Sequence, residues 1–178
     1  MLIAFAFDRI GVVASDLYFF NPDPDPGQEG AERGVRLEVR LFERSELRGS
    51  KFSAQPIAIE RPIWRVDLLE SVDNPGSLDR AHHHPRFEGW EPGYRVFVEE
   101  MTADPLGWVE KRLSDFAGVL AEAGVSADDV GPSDVTSVES SAGEIVDAVR
   151  SLFDRIQNGE LAQPPSADTT AGVRASWL

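Results

Sequence analysis

Alternation of apolar and charged residues with a period of two is the feature that most constrains the fold of this chain. In the stretch GVRLEVRLFER, apolar and charged side chains take turns at every position from Val35 to Leu41. Successive side chains of an extended strand point to opposite faces. The spacing therefore predicts a strand with one apolar and one charged face.

Further stretches rich in branched and aromatic residues favour strands for the same reason. They are residues 2–7, residues 10–20, residues 54–72 and residues 94–101. Pro62 is expected to separate residues 54–72 into two extended parts or to kink a strand at the edge of a sheet. Between the early strands, the Asp-Pro repeats of 21–27 predict a surface loop, because proline is excluded from a central strand.

One long amphipathic helix is predicted to follow the strands. Asp104 is a favourable N-cap, and Pro105 suits the first helical position. Apolar residues then recur at helical spacing as far as Gly124, the expected C-terminal stop.

A second amphipathic helix is predicted near the end of the chain. Ser141 and Glu144 have the spacing of a capping box, and an apolar stripe runs from there to a stop at 158–159. Residues 125–140, between the two helices, are predicted to be a linker with at most a short helical turn at 127–130.

Strands first and helices last is the order typical of an α+β domain. We expect a mostly antiparallel sheet of about five or six strands, with the two C-terminal amphipathic helices packed on one face. Residues 1–160 are predicted to form a single domain, and 161–178 a tail that is flexible unless Trp177 and Leu178 dock it. The face away from the helices is expected to carry Arg36, Glu38, Arg40, Arg65, Asp67, Arg95 and Glu99.

The charge balance limits the kinds of partner. The 178 residues include 31 acidic and 17 basic side chains, a net charge of −14. Nucleic acids bind through basic side chains, so we expect a protein partner and neither nucleic acid nor a membrane. The sequence has no cysteine, which excludes disulfides and thiolate chemistry and fits a cytoplasmic protein.

All three histidines of the chain lie side by side at positions 82–84. Pro85 pushes the residue before it toward an extended backbone, so His82 and His84 are predicted to project to one side and His83 to the other. Two imidazoles arranged in this way could share a divalent metal ion. Carboxylates could supply the third ligand: Asp67, Asp79 or Glu88. A metal is not the favoured interpretation, because no known metal-binding signature surrounds the run.

Acid–base chemistry is an alternative interpretation of the same run. One histidine would act as general acid or base with Asp67 as its orienting carboxylate, while arginines stabilise a developing negative charge. The candidate catalytic residues are His82, His83, His84, Asp67 and Arg65. The favoured interpretation is plainer: a polar loop whose rings are half exposed or bonded to backbone.

Aromatic residues follow the histidines around two glycines. They form a candidate binding surface for a partner, made of Arg86, Phe87, Trp90 and Tyr94. The alternative is that these aromatics fold back and cap the core, which is the commoner outcome.

Three functions follow from these observations. The favoured one is a small acidic protein-binding or regulatory module. The second is a histidine-dependent hydrolase-like enzyme, with or without a metal, centred on residues 82–84. The third is a structural component of an assembly, with the 21–27 loop and the tail as arms ordered by neighbours.

Overall fold

The computed structural model describes residues 1–24 and 26–165. Its strands are β1 (Leu2–Ala6), β2 (Ile10–Phe20), β3 (Ala31–Arg44), β4 (Ile57–Ser71), β5 (His82–His84), β6 (Phe87–Glu88) and β7 (Glu91–Pro92). Its helices are α1 (Glu99–Ala103), α2 (Pro105–Ser114), α3 (Phe116–Ala123), α4 (Asp134–Ser140) and α5 (Ala142–Gln157), with a 3-10 turn at Ala127–Asp129. No helix among these residues is long and apolar enough to cross a membrane.

Strands β1 to β5 form one sheet in which neighbours in the chain are neighbours in space. Every pairing within it is antiparallel. A separate two-stranded sheet joins β6 to β7. The predicted α+β fold with an antiparallel sheet is therefore confirmed.

The register between β3 and β4 sorts the side chains into two faces. Leu37 lies opposite Val66, and the charged Arg36 lies opposite Asp67. Because directly opposed residues point to the same face, one face of the sheet is apolar and the other charged. We call the latter the charged face; its members on these two strands are Arg36, Glu38, Arg40, Arg65 and Asp67.

The helices enclose the core with the apolar face of the sheet. Trp64 and Leu37 are fully buried in the same cluster as Phe116 of α3 and Ile145 of α5. Helix α5 contacts both β2 and β3, and α3 contacts β4. The charged face therefore lies on the opposite side of the sheet from this core.

Residues 94–101 do not form the predicted strand. Val96 makes a single bridge to His83, and α1 begins at Glu99. Glu99 is consequently not part of the charged sheet face. Arg95 lies beside that face, where its charge acts on Glu32 and Arg65, and it donates to the side chain of Gln28 at 2.7 Å.

Strand β4 runs unbroken through Pro62, which the sequence predicted as a division or a kink. The pairing with β3 becomes irregular between Arg40 and Phe42, where Pro62 lies opposite Arg40. Proline has no N–H to donate to the neighbouring strand, and the pairing of β3 with β4 shifts register at this position.

The first predicted helix is interrupted at Asp115. Asp104 accepts a hydrogen bond from the backbone N–H of Gly107 and caps α2. Asp115 does the same with Gly118 and caps α3. The two Asp-x-x-Gly sequences mark two helix starts, whereas the apolar spacing alone predicted one continuous helix.

The predicted linker at 125–140 contains the 3-10 turn and α4. Asp134 is fully buried, and its carboxylate accepts backbone N–H groups of Asp8, Arg9 and Gly131. It therefore ties the turn after β1 to the helical layer. Ser141 makes no side-chain capping bond, so the predicted capping box is wrong.

The start of the predicted tail docks on the sheet. Ala162 is buried and donates its backbone N–H to Asp16 Oδ2 at 2.9 Å. Residues 166–178, including the predicted docking residues Trp177 and Leu178, lie outside the described residues.

Candidate functional site

The short strand β5 places the histidines at the edge of the sheet. His82 lies opposite Asp67, and His84 lies opposite Arg65. The two rings therefore project to one side, as the sequence predicted, and that side is the charged face; their centroids lie 5.0 Å apart. His83 projects to the apolar face.

Asp67 is the centre of a cluster on the charged face. Arg36 approaches its carboxylate with Nε 2.7 Å from Oδ1 and Nη2 3.3 Å from Oδ2. Three further nitrogen atoms lie near Oδ2 of Asp67: Arg65 Nε at 3.0 Å, His82 Nε2 at 3.4 Å and His84 Nε2 at 3.7 Å. These five residues are called the Asp67 cluster below.

The cluster is buried, and this affects its charges. Asp67 is 1% exposed, and the two histidines are almost as inaccessible. Burial alone would raise the pKa of Asp67, but the charges of Arg36 and Arg65 hold that pKa well below its usual range. Asp67 is therefore an ionised carboxylate compensated by two guanidinium groups.

Backbone carbonyls orient both imidazoles. His82 Nδ1 lies 2.8 Å from Arg80 O, and His84 Nδ1 lies 2.8 Å from Gly93 O. A carbonyl oxygen can only accept, so both Nδ1 atoms carry hydrogen and a neutral ring presents a lone pair at Nε2.

The Nε2 atom of His84 is engaged as well. It accepts from Arg65 Nη2 at 3.0 Å. Burial and the charge of Arg65 lower the pKa of His84 to about 4. Both nitrogens of this ring are therefore directed at protein groups in the described arrangement.

Segment 85–98 crosses the charged face and covers the cluster. The ring of Phe97 lies 5.6 Å from that of His82, and the ring of Phe87 lies 6.4 Å from that of His84. Further along, the guanidinium of Arg40 lies 5.8 Å from the centroid of Trp90. We call residues 85–98 the cover segment.

The cover segment and the residues that follow it expose aromatic and acidic side chains to solvent. Trp90, Tyr94 and Phe97 are 59%, 70% and 56% exposed. Exposed carboxylates lie near them in the sequence: Glu88, Glu91, Glu99 and Glu100. Together these seven residues are called the aromatic–acidic surface.

The predicted binding residues thus divide between two environments. Trp90 and Tyr94 are largely exposed, whereas Phe87 is half buried against the cluster. Arg86 donates to the backbone carbonyl of Glu122 at 2.6 Å, so it attaches the segment to α3. Phe97, which is also exposed on this segment, was not among the predicted binding residues, because the alternation along 94–101 indicated a strand residue.

The predicted catalytic residues come together with one exception. His83 packs on the apolar face between Trp64 and Trp108, at ring distances of 6.4 and 5.0 Å, and burial lowers its pKa. Arg36 joins the cluster although it was predicted only as part of the charged face. Its pairing with Asp67 depends on register between strands, which the sequence of one strand does not contain.

Asp67, His82 and His84 also have the composition of a metal site. Their potential ligand atoms all lie within 4.8 Å of one another. Imidazole nitrogen and carboxylate oxygen are ligands that zinc and related ions accept.

Comparison with known proteins gives no match to any family model, curated protein or solved structure. The function is therefore inferred from the geometry of the site.

Proposed function

We propose that the protein is a protein-binding module that contacts its partner through the aromatic–acidic surface. The observation that carries this proposal is the exposure of Trp90, Tyr94 and Phe97, each more than half accessible on one short segment. Aromatic side chains supply much of the binding energy of protein interfaces, and large apolar side chains left exposed on a protein surface are a mark of an interaction site.

Anchoring of the cover segment supports the proposal. His83 and Val96 exchange two backbone hydrogen bonds of 3.0 and 2.9 Å, and Gly93 accepts from the ring of His84 at 2.8 Å. A segment held at several points loses less conformational entropy on binding than a free loop. The Asp67 cluster therefore supports a preorganised surface.

Charge favours a basic partner. Four exposed glutamates lie close to the aromatic residues in the sequence, and the whole chain carries a net charge of −14. Lysine or arginine side chains would meet both the carboxylates and the faces of the aromatic rings, and opposite charge accelerates association. We infer a cytoplasmic protein partner that presents lysine or arginine beside apolar side chains.

A histidine-dependent hydrolase is the second candidate. The convergence of Asp67, two imidazoles and two guanidinium groups favours it. It ranks below binding because the rings of His82 and His84 are buried and already engaged with protein groups, whereas a general acid or base must reach its substrate.

Site-specific photocrosslinking tests the binding proposal. A benzophenone amino acid replaces Tyr94 in one variant and Phe52 in another, since Phe52 is also an exposed aromatic but lies far along the chain from the cover segment. We expect a discrete protein adduct from position 94 only, in cells and again with the purified partner.

Two further arms make the outcome decisive. Glu88→Gln combined with Glu91→Gln should reduce the yield of that adduct, and so should a rise in ionic strength, because both weaken charge attraction. The same set of adducts from positions 94 and 52, or adducts insensitive to both changes, would contradict the proposal.

A further inference from the structure

We propose that Asp67, His82 and His84 bind a divalent transition-metal ion of the zinc class, in competition with the guanidinium of Arg65. This site is separate from the aromatic–acidic surface and does not rest on the binding function proposed above. The inference begins with the direction of the lone pairs on the three side chains.

The tautomers aim the two imidazoles at one carboxylate oxygen. Because both Nδ1 atoms donate to backbone carbonyls, the Nε2 atoms of neutral rings carry lone pairs. Both Nε2 atoms face Asp67 Oδ2, which also carries lone pairs. Three lone-pair donors this close together repel each other unless a proton or a cation lies among them, and the guanidinium of Arg65 is the cation found there in the described arrangement.

Distances within the cluster suit a metal ion. His82 Nε2 and His84 Nε2 lie 3.4 and 3.7 Å from Asp67 Oδ2. Two ligand atoms of a tetrahedral zinc ion, each about 2.0–2.1 Å from the metal, are about 3.4 Å apart. The pairs that include the carboxylate thus have nearly the required spacing.

The outer contacts have the form found around metal ligands. Metal-binding histidines usually donate their second ring nitrogen to a carbonyl or carboxylate, and ligating carboxylates are themselves hydrogen bonded. Here Arg80 O and Gly93 O receive the Nδ1 hydrogens. Arg36 holds the carboxylate mainly through Oδ1, at 2.7 Å, which leaves Oδ2 directed at the histidines.

The guanidinium of Arg65 contacts two of the proposed ligand atoms, so it would compete with a metal ion for them. Its Nη2 donates to His84 Nε2 at 3.0 Å, and its Nε lies 3.0 Å from Asp67 Oδ2. That Nε contact does not have hydrogen-bond geometry, and Nε is buried with no other partner in the described part of the chain. The guanidinium is therefore imperfectly held, and a metal ion would displace it toward the solvent.

The ligand set also indicates the class of ion. Two imidazole nitrogens and one carboxylate oxygen suit zinc, cobalt and nickel, whereas magnesium and calcium prefer oxygen ligands alone. Three protein ligands would leave a coordination position open. We therefore expect Zn²⁺ and Co²⁺ to bind with a stoichiometry of one, and Mg²⁺ to bind far more weakly.

Titration of tag-free, metal-stripped protein with Co²⁺ and Zn²⁺ tests the site. Calorimetry gives the affinity and stoichiometry, and the visible spectrum of Co²⁺ reports nitrogen and oxygen coordination. His82→Asn and His84→Asn should each weaken binding by at least about 100-fold, more than loss of an outer contact usually does. His83→Asn is the matched control, because His83 faces the other side of the sheet, and its affinity should equal that of the original protein.

Arg65→Met gives a prediction of opposite sign. Removing a cation from the immediate surroundings should raise the affinity for Co²⁺ by at least about tenfold, which an adventitious ion bound elsewhere on the surface would not show. This variant keeps all three ligands, so it decides the question even if a histidine variant fails to fold. Equal affinity in the His82 and His83 variants, or no gain in Arg65→Met, would overturn the inference.

Discussion

The guanidinium of Arg36 on β3 donates hydrogen bonds to both carboxylate oxygens of Asp67, the residue directly opposite it on β4. Asp67 is 1% exposed, and the Arg36 side chain is 20% exposed. An ion pair this deeply buried depends on both partners, because either charge left alone would face a medium that solvates it poorly.

Replacement of Arg36 by methionine should therefore destabilise the protein by about 3 kcal/mol. Arg65 and His82 still contact Asp67 in that variant, which keeps the loss at the lower end for a broken buried pair. Urea denaturation measures the change in the free energy of unfolding. Arg150→Met is the matched control, since its ion pair with Asp147 is exposed and should contribute less than about 1 kcal/mol. Similar losses in both variants would show that burial of the pair is unimportant.

Acid should destabilise the protein before its ordinary carboxylates titrate. The pKa of His84 is lowered to about 4 from 6.5. Between these pH values, His84 therefore binds a proton in the unfolded chain but not in the folded one. The free energy of unfolding must therefore fall as the pH drops from about 6.5 to about 4. The lowered pKa of His83 acts with the same sign. Urea denaturation at several pH values checks this, and His84→Gln should flatten the dependence.

The local sequence accounts for much of the sheet and of the charged face. Alternation along β3 and β4 predicted which side chains share a face, and Pro85 predicted the extended backbone that brings His82 and His84 to one side. Each of these properties depends on neighbours within a single strand, where the period-2 rule applies directly.

What the sequence did not predict depends on contacts between distant segments. The pairing of Arg36 with Asp67 requires the β3–β4 register, and the role of Asp134 requires the turn at Asp8 to lie beside α4. The predicted strand at 94–101 is absent because Val96 makes only one bridge, to His83, and helix α1 begins three residues later. Asp115 is the exception: its Asp-x-x-Gly spacing was a local signal that the apolar stripe concealed.

Alanine at Gly34 should be among the more damaging small substitutions in the sheet. A Cβ at this position would overlap the backbone carbonyl of Leu68 on β4, so the strands would have to separate. We expect a loss of about 3 kcal/mol in unfolding free energy. The same substitution at Gly143 in α5 meets nothing within 4 Å and should stabilise by about 0.5–1 kcal/mol. Unfolding curves of the two variants should therefore shift in opposite directions.

Asp134→Ala should cost about 3 kcal/mol, because backbone N–H groups of Asp8, Arg9 and Gly131 lose their acceptor. Hydrogen exchange should accelerate at the amides of Asp8 and Arg9. Asp147→Ala on the exposed side of α5 provides the comparison, with an expected change within about 0.5 kcal/mol. Unchanged protection at these amides would mean that water replaces the carboxylate without loss.

His84→Ala should loosen the cover segment without unfolding the sheet. The substitution removes the ring that donates to Gly93 O and that lies beside Phe87, while the backbone bridge between His83 and Val96 is retained. Hydrogen exchange followed by mass spectrometry should show faster exchange in peptides covering 85–98 and little change in β2 and β3. Phe52→Ala, an exposed aromatic outside the segment, should leave both regions as they were. Equal exchange in the His84 variant and the original protein would show that the histidine does not anchor the segment.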